Sequence, residues 1–165
     1  FDAIMKELFD SLVFFIDRYV HDIHAAEDIA IDAFSDLVVN KHRYNFKVTL
    51  KTYLFMLGRS RALNYIKRRK IIDFVALSEA ENVSSELETL EEAVLGDERK
   101  RIVNNALAAL PDDMRVVIHL IYFEDLSYDE AGKVMKKSRK QVDNLLYRAK
   151  KELRIILGRD GELLL

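Results

Sequence analysis

The 165-residue chain has no cysteine, one proline and five glycines, and these shortages narrow its identity before any motif is considered. Without cysteine there is no disulfide, no thiolate metal site and no cysteine nucleophile; a reducing cytoplasm is compatible with such a chain. With so few helix breakers and no β-like alternation of apolar and polar residues, nearly all of it is expected to be helical, an all-α fold. No apolar run approaches the roughly 20 residues that span a bilayer. The N-terminus also lacks the basic start, apolar core and small-residue cleavage site of a secretory leader, so direct membrane insertion is not expected. The chain opens at Phe1, without methionine and already inside a helical pattern, and so reads as a trimmed or processed form. Neither a nucleophile and base constellation nor a glycine-rich phosphate loop occurs, so no cofactor is implied and no catalysis of its own is expected.

What the chain does have is hydrophobic content, 50% of its residues, and a sharply segregated charge. The net charge of -2 conceals six basic and no acidic residues in 59–70, and eight basic against one acidic in 133–151. Between them, 78–98 holds eight acidic and no basic residues. Two positive patches with an acidic connector suit a protein that meets polyanions at two places; solvated helix faces would explain one patch more easily than two.

Apolar residues recur at helical spacing in three early segments: Ile4, Leu8, Leu12, Phe15, Ile16 and Tyr19; then Ile29, Ala33, Phe34, Leu37 and Val38; then Leu50, Tyr53, Leu54 and Leu57, after a polar break from Lys41 to Lys47. The third helix is expected to end in Lys67, Arg68, Arg69 and Lys70, closing a three-helix bundle over residues 1–70. Residues 71–90 loosen into an acidic, serine-containing linker with some docking capacity. A second unit spans 91–165. Its Leu110-Pro111-Asp112-Asp113 marks a helix start with proline in the first turn, and Val117, Ile118 and Ile121 face the same core as Val103, Ala106 and Leu107.

The most informative stretch runs from Leu126 to Leu153. Ser127 with Glu130, and Ser138 with Gln141, are two capping boxes, each marking the start of a short helix. Ala131, Val134 and Met135, then Val142, Leu145, Leu146, Ala149 and Leu153, are the inward positions. Outward stand Arg139, Lys140, Asn144, Tyr147, Arg148, Lys150 and Lys151, as in a recognition helix lying in a major groove.

Taken in order, these segments resemble the extracytoplasmic-function sigma factors, the small two-domain members of the bacterial sigma-70 family, from about Leu8 to Leu157. Ala26-Glu27-Asp28-Ile29-Ala30-Ile31-Asp32-Ala33-Phe34 is similar to the family's segment for docking on core RNA polymerase, which implies that role for Glu27, Asp28, Asp32 and Phe34. Thr49 to Leu54, continuing through Arg59, Ala62, Asn64 and Ile66-Lys67-Arg68, is similar to the helix that opens and reads the minus-ten promoter element. Ala109-Leu110-Pro111, Leu126-Ser127-Tyr128 and Tyr147-Arg148-Ala149-Lys150 are similar to the helix-turn-helix domain that reads the minus-thirty-five element. The resemblance further implies promoter DNA as ligand and an anti-sigma factor as a controlling partner, to which Phe74, Val75 and Leu77 are weak candidate contacts.

Residue chemistry agrees with each implied role. Opening a promoter needs unpaired bases captured by stacking and edge contacts while cations hold phosphate; Tyr44, Asn45 and Phe46, with Arg59, Arg61, Asn64, Lys67 and Arg68, supply those types. Tyr53 and Phe55 are ambiguous, because an aromatic at helical spacing is usually core. On the recognition helix, Lys140, Gln141, Asn144 and Tyr147 are the expected base contacts, although Gln141 doubles as a cap, and Arg139, Arg148 and Lys151 the expected phosphate contacts. Two departures stand out. Lys136 and Lys137 occupy a turn where the family usually has glycine and an aliphatic residue, so that either the turn is looser or Lys137 lays its stem on the core; and Asp143 stands where a basic residue is common.

Two other readings stay open at this level. A stand-alone helix-turn-helix regulator explains 126–153 equally well, but not the second basic segment with its aromatics. A metal site on His21, His24, Glu27 and Asp28 would want paired Glu-x-x-His motifs, and none occurs in the chain; those histidines fit a water-exposed helix break better.

Overall fold

The computed structural model describes residues 2–77 and 98–158, and among these every regular element is helical. The first unit comprises α1 (Asp2–Val20), α2 (Ile23–Val39), a short 3-10 turn (Lys41–Arg43) and α3 (Leu50–Leu77). The second comprises α4 (Glu98–Ala108), α5 (Asp112–Ile118) running into a π-helical turn (His119–Phe123), α6 (Tyr128–Met135) and α7 (Arg139–Gly158).

Local chemistry sets the breaks. His21 takes a left-handed backbone (φ 55) and Asp22 then caps α2, accepting from the backbone N–H of His24 and Ala25 at 3.1 and 3.3 Å. The expected helix break therefore falls at His21, but His21 does not simply face water: its Nε2 lies 3.3 Å from Arg115 Nη1 and 3.9 Å from Asp112. Pro111 occupies the cap position, one residue before α5, with Asp112 and Asp113 in the first turn.

Leu12, Phe15, Ile16 and Tyr19 are buried as expected, whereas Ile4 and Val38, at the ends of their stripes, are exposed. Helices α1 and α3 approach closely at Gly58, where a Cβ would stand 2.8 Å from Leu12 Cδ1. Phe55 is fully buried, stacked on Phe15 with ring centroids 4.6 Å apart. Helix α3 does not stop at Lys70. No glycine or proline lies between Lys70 and Leu77, and the Arg69–Asp73 pair (3.6 Å) bridges the expected boundary, so the helix runs on to Leu77. The rest of the expected linker, 78–90, and the expected start of the second unit, 91–97, lie outside the described residues.

The two units share one continuous core. Arg115, nearly buried on α5, spends all five donors in one place: it bonds the Leu107, Ala108 and Leu110 carbonyls at the end of α4, the Arg18 carbonyl at the end of α1 (2.8 Å) and Asp112 (2.9 Å). A cation thus satisfies orphan carbonyls of two helix ends at once. Nearby, the Phe15 ring sits 6.0 Å from the His119 ring, which stacks on Phe123. Lys51 Nζ reaches Glu124, bonding its carboxylate at 2.8 Å and its carbonyl at 2.9 Å. Thr52 Oγ1 donates to Glu130 Oε2 at 3.1 Å.

His119 and Glu124 are buried together, His119 Nε2 standing 3.3 Å from Glu124 Oε1. Arg18 Nε donates to Nδ1, which puts the ring proton on Nε2, facing the Glu124 carboxylate. Burial holds the imidazole below its ordinary value of 6.5, against the pull of Glu124. For Glu124, burial pushes up, but the bonds from His119 and Lys51 outweigh it and the carboxyl lies below its ordinary 4.5.

Two predictions arise from this packing. Arg115→Ala should cost about 3 kcal/mol in urea unfolding, and Arg115→Lys should fail to restore it, because an ammonium cannot reach five acceptors. Both His119 and Glu124 bind protons more weakly in the folded chain than in the unfolded one, so acid favours unfolding. Their contribution is whole above about pH 6.5 and is lost as pH falls, first through His119 and then through the carboxylate range. The urea midpoint should therefore fall between about pH 7 and 5.5 in the parent, and fall less in His119→Gln.

Candidate nucleic-acid interface

Both predicted capping boxes form. Ser127 Oγ accepts from Glu130 N at 3.1 Å while Glu130 Oε1 accepts from Ser127 N at 3.0 Å; Ser138 and Gln141 make the same reciprocal pair at 3.1 and 2.8 Å. The turn between α6 and α7 is tight despite its lysines. Lys136 adopts the left-handed conformation (φ 57, ψ 47) that glycine usually takes, at a cost of about 1 kcal/mol. Gly132 makes room for the turn: a Cβ there would meet the Lys137 carbonyl oxygen at 2.5 Å. Lys137 is two-thirds or more covered and sends its ammonium to Asp113, 3.7 Å away, which is the stem-on-core alternative.

This turn aims α7. Val142, Leu145, Leu146 and Ala149 are buried, and Arg139, Lys140, Gln141, Asn144, Tyr147, Arg148 and Lys151 are all exposed. Gln141, Asn144 and Arg148 line one shallow depression with Asp113 and Lys137. Gln141 Oε1 is spent on its cap, which leaves its amide N–H groups for a base edge. Arg139 reaches back toward Asp129 at 3.6 Å. Lys150 is turned away from this row, lying over the Tyr122 ring at 5.2 Å, and its hydrogen bond with the Tyr122 hydroxyl holds its ammonium above its ordinary value.

The second surface lies at the start of α3. Tyr44 anchors its loop by donating to the Val48 carbonyl at 2.6 Å, and Asn45 accepts from Lys47 N. Phe46, left-handed (φ 62) and 82% exposed, stands 4.6 Å from Tyr44, whose ring is 4.9 Å from Tyr53. Tyr53 is thus neither core nor free; it closes a three-ring row with Phe46 at its open end. A bulky residue at positive φ with its ring in water is a strained and uncommon arrangement. Asn64, Lys67 and Arg68 are exposed further along α3. Arg59 and Arg61 turn inward instead. Arg59 Nε donates to Tyr19 OH at 3.2 Å, in a setting where burial pushes the phenol up to about 12. Arg61 pairs with Asp36 at 3.1 Å; hydrogen bonds from Asn40 and then Arg61 hold that carboxyl below its ordinary range.

Glu27, Asp28 and Asp32 are exposed along α2, forming an acidic edge. Phe34 is half-buried, its ring edge-on to Phe9 at 5.7 Å. Beside the acids, Phe14 and Ile23 are exposed apolar residues that line a shallow groove with Phe9, Asp10, Val13 and Glu27. The apolar stripes do not reveal them, but Phe14 is out of phase with Leu12, Phe15 and Ile16, and that mismatch is the available signal. Phe74 and Val75 lie on the exposed end of α3; the side chain of Leu77 is outside the described set. Among the described residues, no group of three or more His, Cys, Asp or Glu side chains is placed to hold a metal ion, and no helix is long and apolar enough to cross a membrane.

Comparison with known proteins gives consistent results. Residues 100–153 match the family model described as sigma-70, region 4. The chain is 25% identical over 158 residues to the ECF RNA polymerase sigma factor SigM of Bacillus subtilis, covering 96% of this chain and 95% of that protein. It is 26% identical over 161 residues to the RNA polymerase sigma-H factor of Pseudomonas aeruginosa, covering 93% and 83%. Among solved structures it is similar to the sigma factor RpoE of Bartonella quintana, crystallised with the anti-sigma factor NepR, with a TM-score of 0.74, 19% identity and 96% of each chain covered.

Proposed function

The chain belongs to the extracytoplasmic-function group of the sigma-70 family, and on that premise we propose that it is an alternative sigma factor, binding core RNA polymerase and directing promoter-specific initiation. In this reading residues 1–70 dock on polymerase and read and open the minus-ten element, 71–90 connect, and 91–165 read the minus-thirty-five element. It acts on transcription without chemistry of its own, works in the cytoplasm and is held in check by an anti-sigma factor.

The observation that carries the proposal is the coexistence of two separate DNA-facing surfaces. A stand-alone regulator needs only the α7 row; it has no use for an exposed, strained aromatic row followed by Asn64, Lys67 and Arg68. Unpaired bases stack on rings, and Phe46 offers an exposed ring. Glu27, Asp28 and Asp32 with Phe14 and Ile23 supply a directional acidic and apolar surface for polymerase. Arg59 and Arg61, engaged with Tyr19 and Asp36, contribute to DNA binding chiefly by holding α3 in place.

Promoter-library transcription with core polymerase tests the reading. The parent should select a two-element promoter. Asn144→Ala should relax preference at one position of the upstream element by about 1–3 kcal/mol, and Arg148→Ala should weaken all promoters nearly equally. Unchanged sequence preference in Asn144→Ala would remove that residue from base reading; absence of initiation by the folded parent would favour the stand-alone regulator.

A further inference from the structure

One residue on the outward side of α7 works against DNA binding. Between Lys133 and Lys151 the chain has eight basic residues and a single acid, Asp143. A duplex carries about one negative charge per 1.7 Å of its axis, so a carboxylate on a helix that enters the groove is repelled unless a donor meets it there.

Asp143 is exposed, and among the described residues its carboxylate has no ion-pair or hydrogen-bond partner. Two cations stand one helical turn away, Arg139 four residues before it and Lys140 three, the spacing at which side chains on a helix meet. Neither neutralises it. Arg139 reaches instead to Asp129 on α6, 3.6 Å away, and a cation placed N-terminal to an acid is the weaker order for a pair on one helix, because both charges oppose the helix dipole. The other acid beside the exposed row, Asp113, is matched by Lys137 at 3.7 Å. Asp143 is thus the free acceptor of this surface, next to the exposed Tyr147 one turn on.

Base edges show few donors in the major groove, namely the exocyclic amino groups at N4 of cytosine and N6 of adenine. Guanine shows acceptors at O6 and N7 and thymine one at O4, and each repels a carboxylate. On adenine the N7 acceptor lies beside the N6 donor, a pair that an amide matches and a carboxylate does not. Cytosine offers a donor with no acceptor beside it on the same base.

From this geometry we infer that Asp143 is a specificity-determining residue: its carboxylate accepts from the N4 amino group of a cytosine in the DNA bound by α7, and repels guanine and thymine at the same place. The inference rests on the reading of α7 as a DNA-reading helix. Successive residues lie about 100° apart around a helix, so Asp143 and Asn144 reach different bases, and the cytosine adds to whatever base Asn144 reads. The charge weakens binding to every duplex that lacks the cytosine, which raises discrimination while lowering overall affinity.

Selection from a random duplex library by the full chain alone, and promoter-library transcription by the chain with core polymerase, test this together. The parent should select a cytosine at one position of the upstream element. Asp143→Ala should lower that preference about ten-fold, while its binding to duplexes without the cytosine rises. Asp143→Asn, of the same shape without the charge, should move the preference toward adenine. Replacing the selected cytosine by 2-pyrimidinone, which lacks only the 4-amino group, should weaken the parent about ten-fold more than it weakens Asp143→Ala; both proteins meet the same altered base pair, so the difference isolates the amino contact. A parent without cytosine preference, or a preference that survives Asp143→Ala, would overturn the inference. So would a variant that changes all sequences equally, which would assign Asp143 to a protein contact. Cytosine selection by the chain alone, without initiation on core polymerase, would leave the role of Asp143 standing and remove the sigma reading; initiation without cytosine preference would do the reverse. A folded parent that neither selects a sequence nor initiates would overturn both.

Discussion

The carboxylate of Glu130 is the constraint on which the arrangement turns. It caps α6, which fixes where the helix-turn-helix begins, and it accepts from Thr52 at the start of α3, which fixes where the aromatic row and basic face of the first unit lie relative to the second. Its pairing with the Ser127 backbone N–H, first among several hydrogen bonds, holds it below the ordinary carboxylate range, so the charge that both helix starts need is present at neutral pH. Around it the buried Glu124 and His119, with the half-buried Lys51, form a polar strip backed by the rings of Phe15, Phe55 and His119.

Arg115 makes the same connection from the other side. The end of α4 and the end of α1 both present carbonyls that need donors, and a single guanidinium serves both. The two units are thus joined by directional contacts in addition to apolar burial. Directional contacts distinguish right from wrong geometry, and unlike a fully apolar interface they can be exchanged for contacts with phosphate or with a protein partner.

Much of this fold was legible in the residues. Ser127 with Glu130 and Ser138 with Gln141 placed two helix starts, because a reciprocal cap is a local structure that tertiary packing has no reason to override. The inward positions of α6 and α7 followed from spacing alone. The end of α3 was not legible: the clustered lysines and arginines look like a terminus, yet with no glycine or proline just beyond them the helix continues to Leu77. Lys136 shows the limit of composition in the other direction, since a lysine holds the left-handed turn that glycine would favour. The site was legible as residue types but not as engagements. Arg59 and Arg61 read as DNA contacts and are turned to Tyr19 and Asp36; Phe14 and Ile23 lie outside the stripes and are exposed beside the acidic edge. The junction itself was invisible, because Arg115 to Arg18 and Glu130 to Thr52 are pairs separated by 97 and 78 residues and no local pattern announces them.

Binding to core polymerase is the property on which the sigma assignment rests. Co-elution of the purified chain with bacterial core RNA polymerase, alongside an Asp28→Arg, Asp32→Arg double variant, measures this most directly. Both positions are exposed on α2, so reversal there should leave the fold intact while inverting the charge of the docking edge. Co-elution of the parent and its loss in the variant is the predicted result; a folded parent that elutes apart from polymerase would contradict it.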